Sequence, residues 1–553
     1  MGAGWIWDDG VMVHANPLIK SSTGLFKFWY STKLLDYFPL TNSLLWVQWR
    51  LFGDQPAGYH IVNILLHGLC AAALWRVLLR LKVPGAFVAA AIFAVHPVGV
   101  ASAAWISETK NTLSLLLGAL AVLNYLHFEE KPAQRRWYVI SLILFLLALL
   151  AKTSVVMIPV AILTLAHWRR GCISRNDLMR IAPMLCMSLA LGLVTIYFQH
   201  ENALDHTLTR IESWPTRLAT SGWCAWFYLY KTIVPIQLSM IYPRWQVDAA
   251  NWLHWLPLAT WLVAIILAKR FRLVIGLYII LLLPVIGLVT MAFHAHSLVA
   301  DHLQYIALIV PIATVTAISA THIKSRRTAI LLAILVLLML SAQTWARAQR
   351  LANERLLWTH TISLNDQAWA AHNNLGVIQS KDGQIDDAIN HFQQVIKLQP
   401  DYAVGYFNLG DALRLKGQPN QAIEQYQMAL ALREDYFKAH NNLALLLLKQ
   451  RKVEQAVTHL RAVVELQPGN AKFQNMLGNA LSMVGRDRQA LPHLKQAVAL
   501  DSNNALFHSD LAETHASLNQ FDQAIKHMQQ ALNLASPSQR PAMIDHLKKY
   551  RGN

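Results

Sequence analysis

The sequence predicts an all-α protein in which a polytopic transmembrane helical bundle precedes a helical solenoid. Hydrophobic residues make up 55% of the 553 residues, which points to several membrane spans rather than to a soluble protein of this size. Long apolar runs continue to about Trp345, and beyond it Gln, Asn, His and charged residues take over. A 34-residue repeat then runs through this polar part. Each part is long enough to form its own core.

The positive charge of the chain lies mostly between the apolar runs. The net charge is +17. Lys and Arg in short loops mark the cytoplasmic side of a membrane protein, so the bilayer explains the charge and no nucleic-acid partner is expected. The loops in question contain Arg76, Arg80 and Lys82; Lys131, Arg135 and Arg136; Arg169, Arg170, Arg175 and Arg180; Lys269, Arg270 and Arg272; and Lys324, Arg326 and Arg327.

Ten apolar runs are predicted to cross the membrane. An eleventh run, 218–235, is predicted to be an interfacial or re-entrant helix, because a further crossing would move two basic loops to the opposite side. An even number of crossings puts the N-terminal segment and the repeats together, away from the basic loops. We expect a multi-pass bacterial inner-membrane protein with periplasmic repeats; in a eukaryotic cell the same side is the lumen. The ten runs are 59–81, 85–94, 112–128, 137–150, 153–168, 181–198, 253–268, 273–293, 302–320 and 328–345.

The polar part repeats with the pattern of tetratricopeptide repeats. Position 8 is always small (Gly376, Gly410, Ala444, Gly478, Ala512), as is position 20 (Ala388, Ala422, Ala456, Ala490, Ala524), whereas position 24 is large (Phe392, Tyr426, Leu460, Leu494, Met528). Small residues let the two helices of a repeat approach closely, and large ones fill the space between repeats. The expected domains are an extracytoplasmic acidic loop (1–57), a membrane domain (58–345), a connecting helix (346–368), five repeats (369–536) and a capping helix (537–553).

Two adjacent carboxylates, Asp8 and Asp9, stand beside Trp7 just before the membrane part. A carboxylate near a lipid surface can accept the proton of an acceptor hydroxyl as that hydroxyl attacks a sugar carbon. An ordinary Asp-Asp-Gly turn is the alternative interpretation of the same residues. If the protein does chemistry, we predict that these two acids carry it.

Further charged residues near the spans are candidates for binding an anionic substrate. Glu108 and Lys110 flank the outer end of a span, where ionisable groups are costly and mark functional sites. Lys110, Lys152 and Arg244 could pair with a lipid phosphate, although cations that snorkel to the interface are the alternative. A last group carries metal-ligand side chains without a fixed spacing, so no metal or other cofactor is predicted; it comprises His294, His296, Asp301 and His302.

An ordered set of short stretches, together with the repeats, resembles the bacterial tetratricopeptide-repeat glycosyltransferases of the GT-C class. These proteins are relatives of the eukaryotic transmembrane-and-tetratricopeptide O-mannosyltransferases, and the resemblance covers nearly the whole chain. The stretches are Trp7-Asp8-Asp9 with Asn16-Pro17, Phe38-Pro39-Leu40-Thr41, Leu51-Phe52-Gly53 through His60-Ile61-Val62-Asn63 to His67, Ala94-Val95-His96-Pro97, Ala104-Trp105-Ile106-Ser107-Glu108 with Lys110-Asn111, Leu150-Ala151-Lys152, Tyr242-Pro243-Arg244-Trp245, and Ala300-Asp301-His302 with Gln304-Tyr305.

The resemblance implies a polyprenyl- or dolichyl-phosphate sugar donor and an acidic first loop that carries the catalytic base. Asp301 and His302 join Glu108, Lys110, Lys152 and Arg244 as predicted donor-binding residues. The chain departs from the family twice. A span usually precedes the acidic loop; we expect one upstream of the given start, and a dispensable first span is the alternative. The eukaryotic branch has an Arg where this chain has Phe38.

Position 6 of the repeats carries a series of asparagines. It reads Asn374, Asn408 and Asn442, followed by Met476 and Asp510. Position 6 lies on the first helix of each repeat, and successive first helices line the concave groove of such an array. An asparagine there can bond both the N–H and the C=O of a peptide. The series is similar to the asparagine ladder of the O-linked N-acetylglucosamine transferases, which implies a polypeptide acceptor. Local bonding by Asn is the alternative.

These observations predict an integral-membrane glycosyltransferase that moves a sugar from a polyprenyl-phosphate-type donor to a Ser or Thr of a protein. Asp8 or Asp9 would take the proton while the sugar leaves its carrier. The main alternative is a non-catalytic, membrane-anchored repeat scaffold for envelope proteins, which has no need of the acidic pair. A transporter is a third interpretation, which the absence of an inverted hydropathy repeat disfavours.

Overall fold

The computed structural model describes residues 4–32, 34, 36–203 and 212–552. Every regular element in these ranges is helical, and none of their residues forms a strand, so the all-α prediction is confirmed. The chain divides into two compact units, Met1–Asn374 and Leu375–Asn553. The sixteen α-helices of the first unit are α1 (Pro17–Lys20), α2 (Gly24–Tyr30), α3 (Pro39–Phe52), α4 (Pro56–Arg80), α5 (Ala86–Ala94), α6 (Val100–Ala104), α7 (Thr109–Glu130), α8 (Arg135–Ala151), α9 (Ile158–Arg170), α10 (Arg175–Phe198), α11 (Trp214–Ile233), α12 (Leu256–Leu267), α13 (Arg272–Leu282), α14 (Ile309–His322), α15 (Arg326–Leu351) and α16 (Glu354–Leu364).

Four helices of the described chain are long and apolar enough to cross a membrane. They are α4, α7 with the turn before it, α10 with the turn after it, and α15. A helix of 25 residues is about 37 Å long and exceeds the ~30 Å hydrocarbon core. A fifth candidate is α5 together with the segment Pro97–Ala104, bent by 47°. The chain is therefore a membrane protein, whereas the count of ten crossings stays a prediction.

The N-terminal segment before α4 folds as short helices around its own apolar cluster. Val13, Phe28 and Leu45 are buried in this cluster together with Tyr59. Arg50 connects α3 to α1, because its guanidinium donates hydrogen bonds to the carbonyls of Ile19 and Ser21, at 2.7 Å each. The acidic residues that precede α1 are therefore held by a folded segment and not by an extended loop.

The last span and the connecting helix are separated by a short break. Helix α15 runs to Leu351, beyond the predicted limit at 345, and the Asn353 side chain caps the start of α16 by accepting from the N–H of Arg355. Trp358 of α16 is fully buried. Helix α16 therefore belongs to the core of the first unit.

The second unit consists of paired helices that stack as tetratricopeptide repeats. Its first helix, α17 (Trp369–Lys381), begins in the first unit. The others are α18 (Ile385–Leu398), α19 (Ala403–Leu415), α20 (Pro419–Leu432), α21 (Phe437–Lys449), α22 (Val453–Leu466), α23 (Ala471–Met483), α24 (Asp487–Leu500), α25 (Ala505–Ser517), α26 (Phe521–Leu534) and the following α27 (Arg540–Arg551).

Position 8 must be small because position 24 of the same repeat lies directly against it. A Cβ added at Gly410 would lie 2.7 Å from the Tyr426 ring, and one at Gly478 would lie 2.5 Å from Leu494. Real Cβ contacts do not come this close, and overpacking of this kind is destabilising by about 1–3 kcal/mol. The spacing of small and large residues thus fixes how closely the two helices of each repeat pack.

Position 9 of one repeat bonds to position 6 of the next in two places. Asn442 donates its amide to Asp411 Oδ1 at 2.9 Å, and Asn479 donates to Asp510 Oδ2 at 2.6 Å. The acid and the amide have exchanged positions between these two interfaces. The equivalent residues of repeats 3 and 4 are Leu445 and Met476, both apolar. Three of the four interfaces between the repeats therefore carry a matched pair, whereas the first sets Val377 against Asn408.

Candidate functional site

Both predicted acids contact the same serine. Ser107 donates its hydroxyl to Asp8 Oδ1 and its backbone N–H to Asp9 Oδ1, at 2.7 Å each. Asp9 also accepts from the N–H of Ile6 at 3.1 Å through its other oxygen and is fully buried. Asp8 is only half-buried. Asp9 therefore holds the loop against the start of α7, and Asp8 retains carboxylate surface for another partner.

Both carboxyl groups of the acidic loop have raised pKa values. Burial raises the pKa of Asp8, although the charge of Lys110 and the Ser107 hydroxyl oppose the effect. Burial and the neighbouring charge of Asp8 raise the pKa of Asp9 well above its ordinary value, against the hydrogen bonds from Ile6 and Ser107. A carboxylate with a raised pKa is a stronger base, which suits proton abstraction near neutral pH.

Trp7 fixes the position of the acids from the other side. Its indole stacks on Trp105 at a centroid distance of 5.5 Å and meets Trp358 of α16 edge-on at 5.3 Å. Its backbone N–H donates to Glu354 Oε1 at 2.7 Å. Trp7 has a φ of +48°, which is rare for a bulky residue. Such a conformation persists only where the surroundings hold it, and this is common at functional sites.

A buried carboxylate between two lysines follows the serine. Glu108 binds Lys110 Nζ at 3.0 Å through one oxygen and Lys152 Nζ at 3.3 Å through the other. Asn111 completes the cluster, since its amide donates to Glu108 at 2.5 Å while its oxygen accepts from Lys152 at 2.7 Å. All three charged side chains are almost fully buried. The cluster contains one more cation than anion, which favours an anionic ligand nearby.

His302 adjoins this cluster, whereas Asp301 forms a different contact. The imidazole of His302 is buried and meets Trp105 edge-on at 5.4 Å. Asp301 instead receives Arg347 Nη2 of α15 at 2.6 Å and the hydroxyl of Tyr242 at 3.0 Å. Arg347 also donates to the carbonyl of Pro97 at 2.8 Å. The contacts of Asp301 favour a role in fastening α15 to the site over direct donor binding.

The predicted donor residue Arg244 pairs with a different carboxylate from the two lysines. It pairs with Glu212 at 3.4 Å, and both side chains are partly exposed. Burial, with a smaller contribution from the Arg244 charge, lowers the pKa of His296 to about 4. His296 in turn packs edge-on against Trp7 at 5.3 Å. Arg244 therefore acts electrostatically on a histidine that contacts Trp7. In the described residues no group of three or more His, Cys, Asp or Glu could hold a metal ion.

The predicted acceptor-binding asparagines differ in how they are engaged. Asn374 donates to the carbonyl of Ala370 on its own helix at 2.9 Å. Asn442 bonds Asp411 across the repeat interface and accepts from Asn441 at 3.0 Å. Asn408 is half-buried, and the residue at position 9 of the preceding repeat, Val377, is apolar. The contacts of Asn442 favour the local alternative for that residue, and the ladder stays a prediction.

Three residues of the candidate site were not predicted from the sequence as site residues. Ser107 and Asn111 lie within stretches that carry the resemblance, but nothing in the spacing showed that they join the acids to the lysines. Arg347 lies just past the predicted end of the last span. An arginine within a helix that continues an apolar run is itself a signal, because it must find a buried partner.

The fold and the site define a helical membrane protein with a tetratricopeptide-repeat array. Residues 37–198 match a family model described as dolichyl-phosphate-mannose-protein mannosyltransferase. Residues 366–435, 413–480 and 485–542 match models of the tetratricopeptide repeat. The first match contains Ser107, Glu108, Lys110 and Lys152, whereas the acidic pair precedes it.

The chain is similar to transmembrane-and-tetratricopeptide proteins named as protein O-mannosyl-transferases, and the predicted resemblance is confirmed. It is 24% identical to F38B6.6 of Caenorhabditis elegans over 73% of this chain and 61% of that protein. It is 26% identical to Tmtc2 of Drosophila melanogaster over 45% and 29%, respectively. The chain thus spans less than two thirds of the length of these relatives.

The repeat region resembles solved structures of other proteins. The tetratricopeptide-repeat protein YrrB is 19% identical, covers 35% of this chain and 97% of its own, and has a TM-score of 0.33. A MamA structure is 19% identical, covers 30% and 91%, respectively, and has a TM-score of 0.29.

Proposed function

We propose that this protein is an integral-membrane glycosyltransferase that moves a sugar from a polyprenyl-phosphate donor to a Ser or Thr hydroxyl of a polypeptide. The observation that carries the proposal is the pairing of a half-buried carboxylate of raised pKa, Asp8, with a buried cluster that has an excess cation. A base close to an anion-stabilising group is what transfer from a phosphate carrier requires. The names of the relatives support the same class of reaction.

The proposed step is a single displacement at the anomeric carbon. The acceptor oxygen forms a bond to that carbon while the bond between the carbon and the phosphate oxygen breaks. Asp8 takes the proton of the acceptor hydroxyl, and the carrier phosphate leaves with the electron pair as an anion. Attack from the side opposite to the leaving group inverts the configuration of the sugar.

Asp9 and Ser107 act as positioning residues in this proposal. Both oxygens of Asp9 accept backbone N–H groups, so they leave little capacity for a substrate. The Ser107 hydroxyl donates to one oxygen of Asp8, and the proposal assigns the other oxygen to the acceptor hydroxyl. Asp8 is therefore the base of the proposal, and Asp9 keeps it in place.

Lys110 and Lys152 would stabilise the leaving phosphate. Glu108 neutralises one of their two charges and holds both ammonium groups in position before the reaction. Preorganised charge of this kind acts most strongly in a buried site from which water is excluded. His302 and Trp105 beside the cluster would supply a polar side chain and an aromatic face for the sugar.

The alternative scaffold function would use only the repeats. It would leave unexplained why Glu108 and two lysines are buried together, since burying charges costs several kcal/mol per ion before pairing. It would also leave unexplained the strained Trp7 and the raised pKa of Asp8. These features favour an enzyme over a scaffold.

The reaction is proposed to occur on the side away from the basic loops, the periplasm of a bacterium. Sealed membrane vesicles of both orientations test the reaction and its side together. With a polyprenyl-phosphate-linked mannose in the membrane and an impermeant Ser/Thr peptide outside, vesicles with the periplasmic face outward should add one hexose to the peptide, as measured by mass spectrometry. Vesicles of the opposite orientation should not. Product from a nucleotide sugar without the lipid, or only in inverted vesicles, would contradict the proposal.

We further propose that the repeats hold the polypeptide acceptor along position 6. Changing Asn374, Asn408 and Asn442 together to Ala should weaken acceptor binding by about 1 kcal/mol per lost pair of hydrogen bonds. Initial rates should fall for a full-length protein acceptor and persist for a short peptide, which needs no grip by the repeats. Equal rates for both acceptors in the triple variant would show that these asparagines are structural.

A swapped pair separates acceptor contacts from repeat stability. The double variant Asp411→Asn with Asn442→Asp copies the order of the Asn479–Asp510 interface, so it should keep the bond between repeats and the unfolding temperature of the wild type. A single Asn442→Ala should lower the free energy of unfolding by about 1 kcal/mol. If loss of transfer follows stability across these variants, the ladder has no part in acceptor binding.

A further inference from the structure

The membrane unit contains a large apolar cavity that the proposed reaction does not use. Its volume is about 730 Å³, which is within the range of small-molecule binding sites. It lies between α4, α7, α9, α13 and α14. Leu74, Leu115, Ile158 and Ile306 form its buried wall. A lining of this kind suits a hydrocarbon chain and no polar ligand.

The mouth of the cavity has the character of a membrane interface. The exposed lining residues include Lys82 after α4, Trp168 near the end of α9, Arg270 before α13 and His322 at the end of α14. Tryptophan and basic residues gather where the hydrocarbon core meets the headgroups. The cavity therefore opens at the level of lipid headgroups on the side of the basic loops.

The charge of the mouth is not balanced by the described residues. No Asp or Glu lines the cavity, and neither Lys82 nor Arg270 forms an ion pair with any described residue. Neighbouring cations do find acids: Arg80 pairs with Glu130 at 2.7 Å, and Arg169 pairs with Glu129 at 3.0 Å. Lys82 and Arg270 are thus left for an anion.

We propose that the cavity binds one anionic diacyl phospholipid. An acyl chain of the lipid lies in the cavity, and the phosphate of its headgroup lies between Lys82 and Arg270. Basic pockets between transmembrane helices on the cytoplasmic side suit such headgroups. The sugar donor is a poorer fit. Asn63 of α4 bonds the carbonyl of Trp105, two residues before the Ser107 that contacts both acids, and Leu78 of the cavity follows 15 residues later, about 22 Å along the helix. A phosphate held at the mouth would be too far from Asp8 to react.

Native mass spectrometry of the full chain in detergent tests the assignment. Wild-type protein offered equal amounts of phosphatidylglycerol and phosphatidylcholine should retain one phosphatidylglycerol with a preference of roughly tenfold or more. The double variant Lys82→Ala with Arg270→Ala should lose that preference. The control Arg175→Ala with Lys324→Ala removes two exposed cations from the same basic side, outside the cavity, and should behave as the wild type.

A second variant tests the apolar part of the site without changing charge. Ala317 lines the cavity from α14, and Ala317→Phe should reduce retention of the lipid by filling the space of its chain. The proposal would be overturned if Ala317→Phe retained as much phosphatidylglycerol as the wild type. It would also be overturned if the Lys82/Arg270 double variant and the Arg175/Lys324 control showed the same preference for phosphatidylglycerol. Displacement of phosphatidylglycerol by a lower concentration of polyprenyl phosphate would overturn the choice of lipid. The outcome is independent of whether the protein transfers sugar.

Discussion

Asp8→Asn is expected to lower the rate of sugar transfer by about a hundredfold or more, which is the contribution of a general base. The variant protein should still fold and insert into the membrane. The amide keeps an oxygen that can accept from the Ser107 hydroxyl, so the loop contact survives while the basic oxygen is lost. The measurement is the initial rate of hexose transfer to a peptide, with the unfolding temperature of the same preparation.

Two neighbouring acids serve as controls for the Asp8 variant. Asp54 is exposed and pairs with His14 in the same N-terminal segment, so Asp54→Asn should keep full transfer. Asp9→Asn should act differently, because an amide cannot accept both the Ile6 and Ser107 N–H groups through its single oxygen. We expect it to destabilise the loop by about 1–3 kcal/mol. Wild-type transfer in Asp8→Asn would refute the assignment of the base.

Lys110→Gln is expected to lower transfer by about a hundredfold, similar to the loss of one preorganised group that stabilises a developing anion. Folding should persist because Glu108 keeps Lys152 as its partner. The matched control is Lys131→Gln at the other end of the same helix, where the side chain is exposed. The measurement is the transfer rate at saturating donor, since the lost interaction belongs to the leaving phosphate.

The pH profile distinguishes this role from a structural one. Asp8 must be ionised to act as a base, so transfer should fall as the pH is lowered through its raised pKa. Lys110 opposes the effect of burial on the pKa of Asp8. In Lys110→Gln that opposition is lost, and the acidic limb of kcat/KM should move to higher pH. A lower rate with an unchanged limb would mean that Lys110 does not act on the site of Asp8.

The repeats were predictable from the sequence because their determinants are local. Within a repeat, the side chain at position 24 packs against the backbone at position 8. The two positions are 16 residues apart and recur every 34, so the period of the sequence predicts which residues pack together. The same holds for the long apolar helices. Shorter helices such as α12 and α13 were predicted as crossings from their apolar content, which does not fix their length.

The site was predictable in its residue types and not in its connections. Two acids near a membrane, and lysines beside a glutamate, are unusual enough to be noticed one by one. That Ser107 bridges both acids, 98 and 99 residues away, depends on how α4 and α7 pack, and no local pattern encodes that. Asp301 was assigned to the donor because Arg347, 46 residues further on, was not recognised as its partner.

The matched residue pairs between successive repeats favour one order of the repeats along the chain. Removing residues 437–470, one whole repeat, would set Asp411 against Met476, and removing two would set it against Asp510, a like charge. Either junction would lose the bond that Asn442 now makes. Loss of this repeat by slippage is therefore penalised at the new junction, and two copies of the chain that exchanged repeats with the same offset would meet the same penalty.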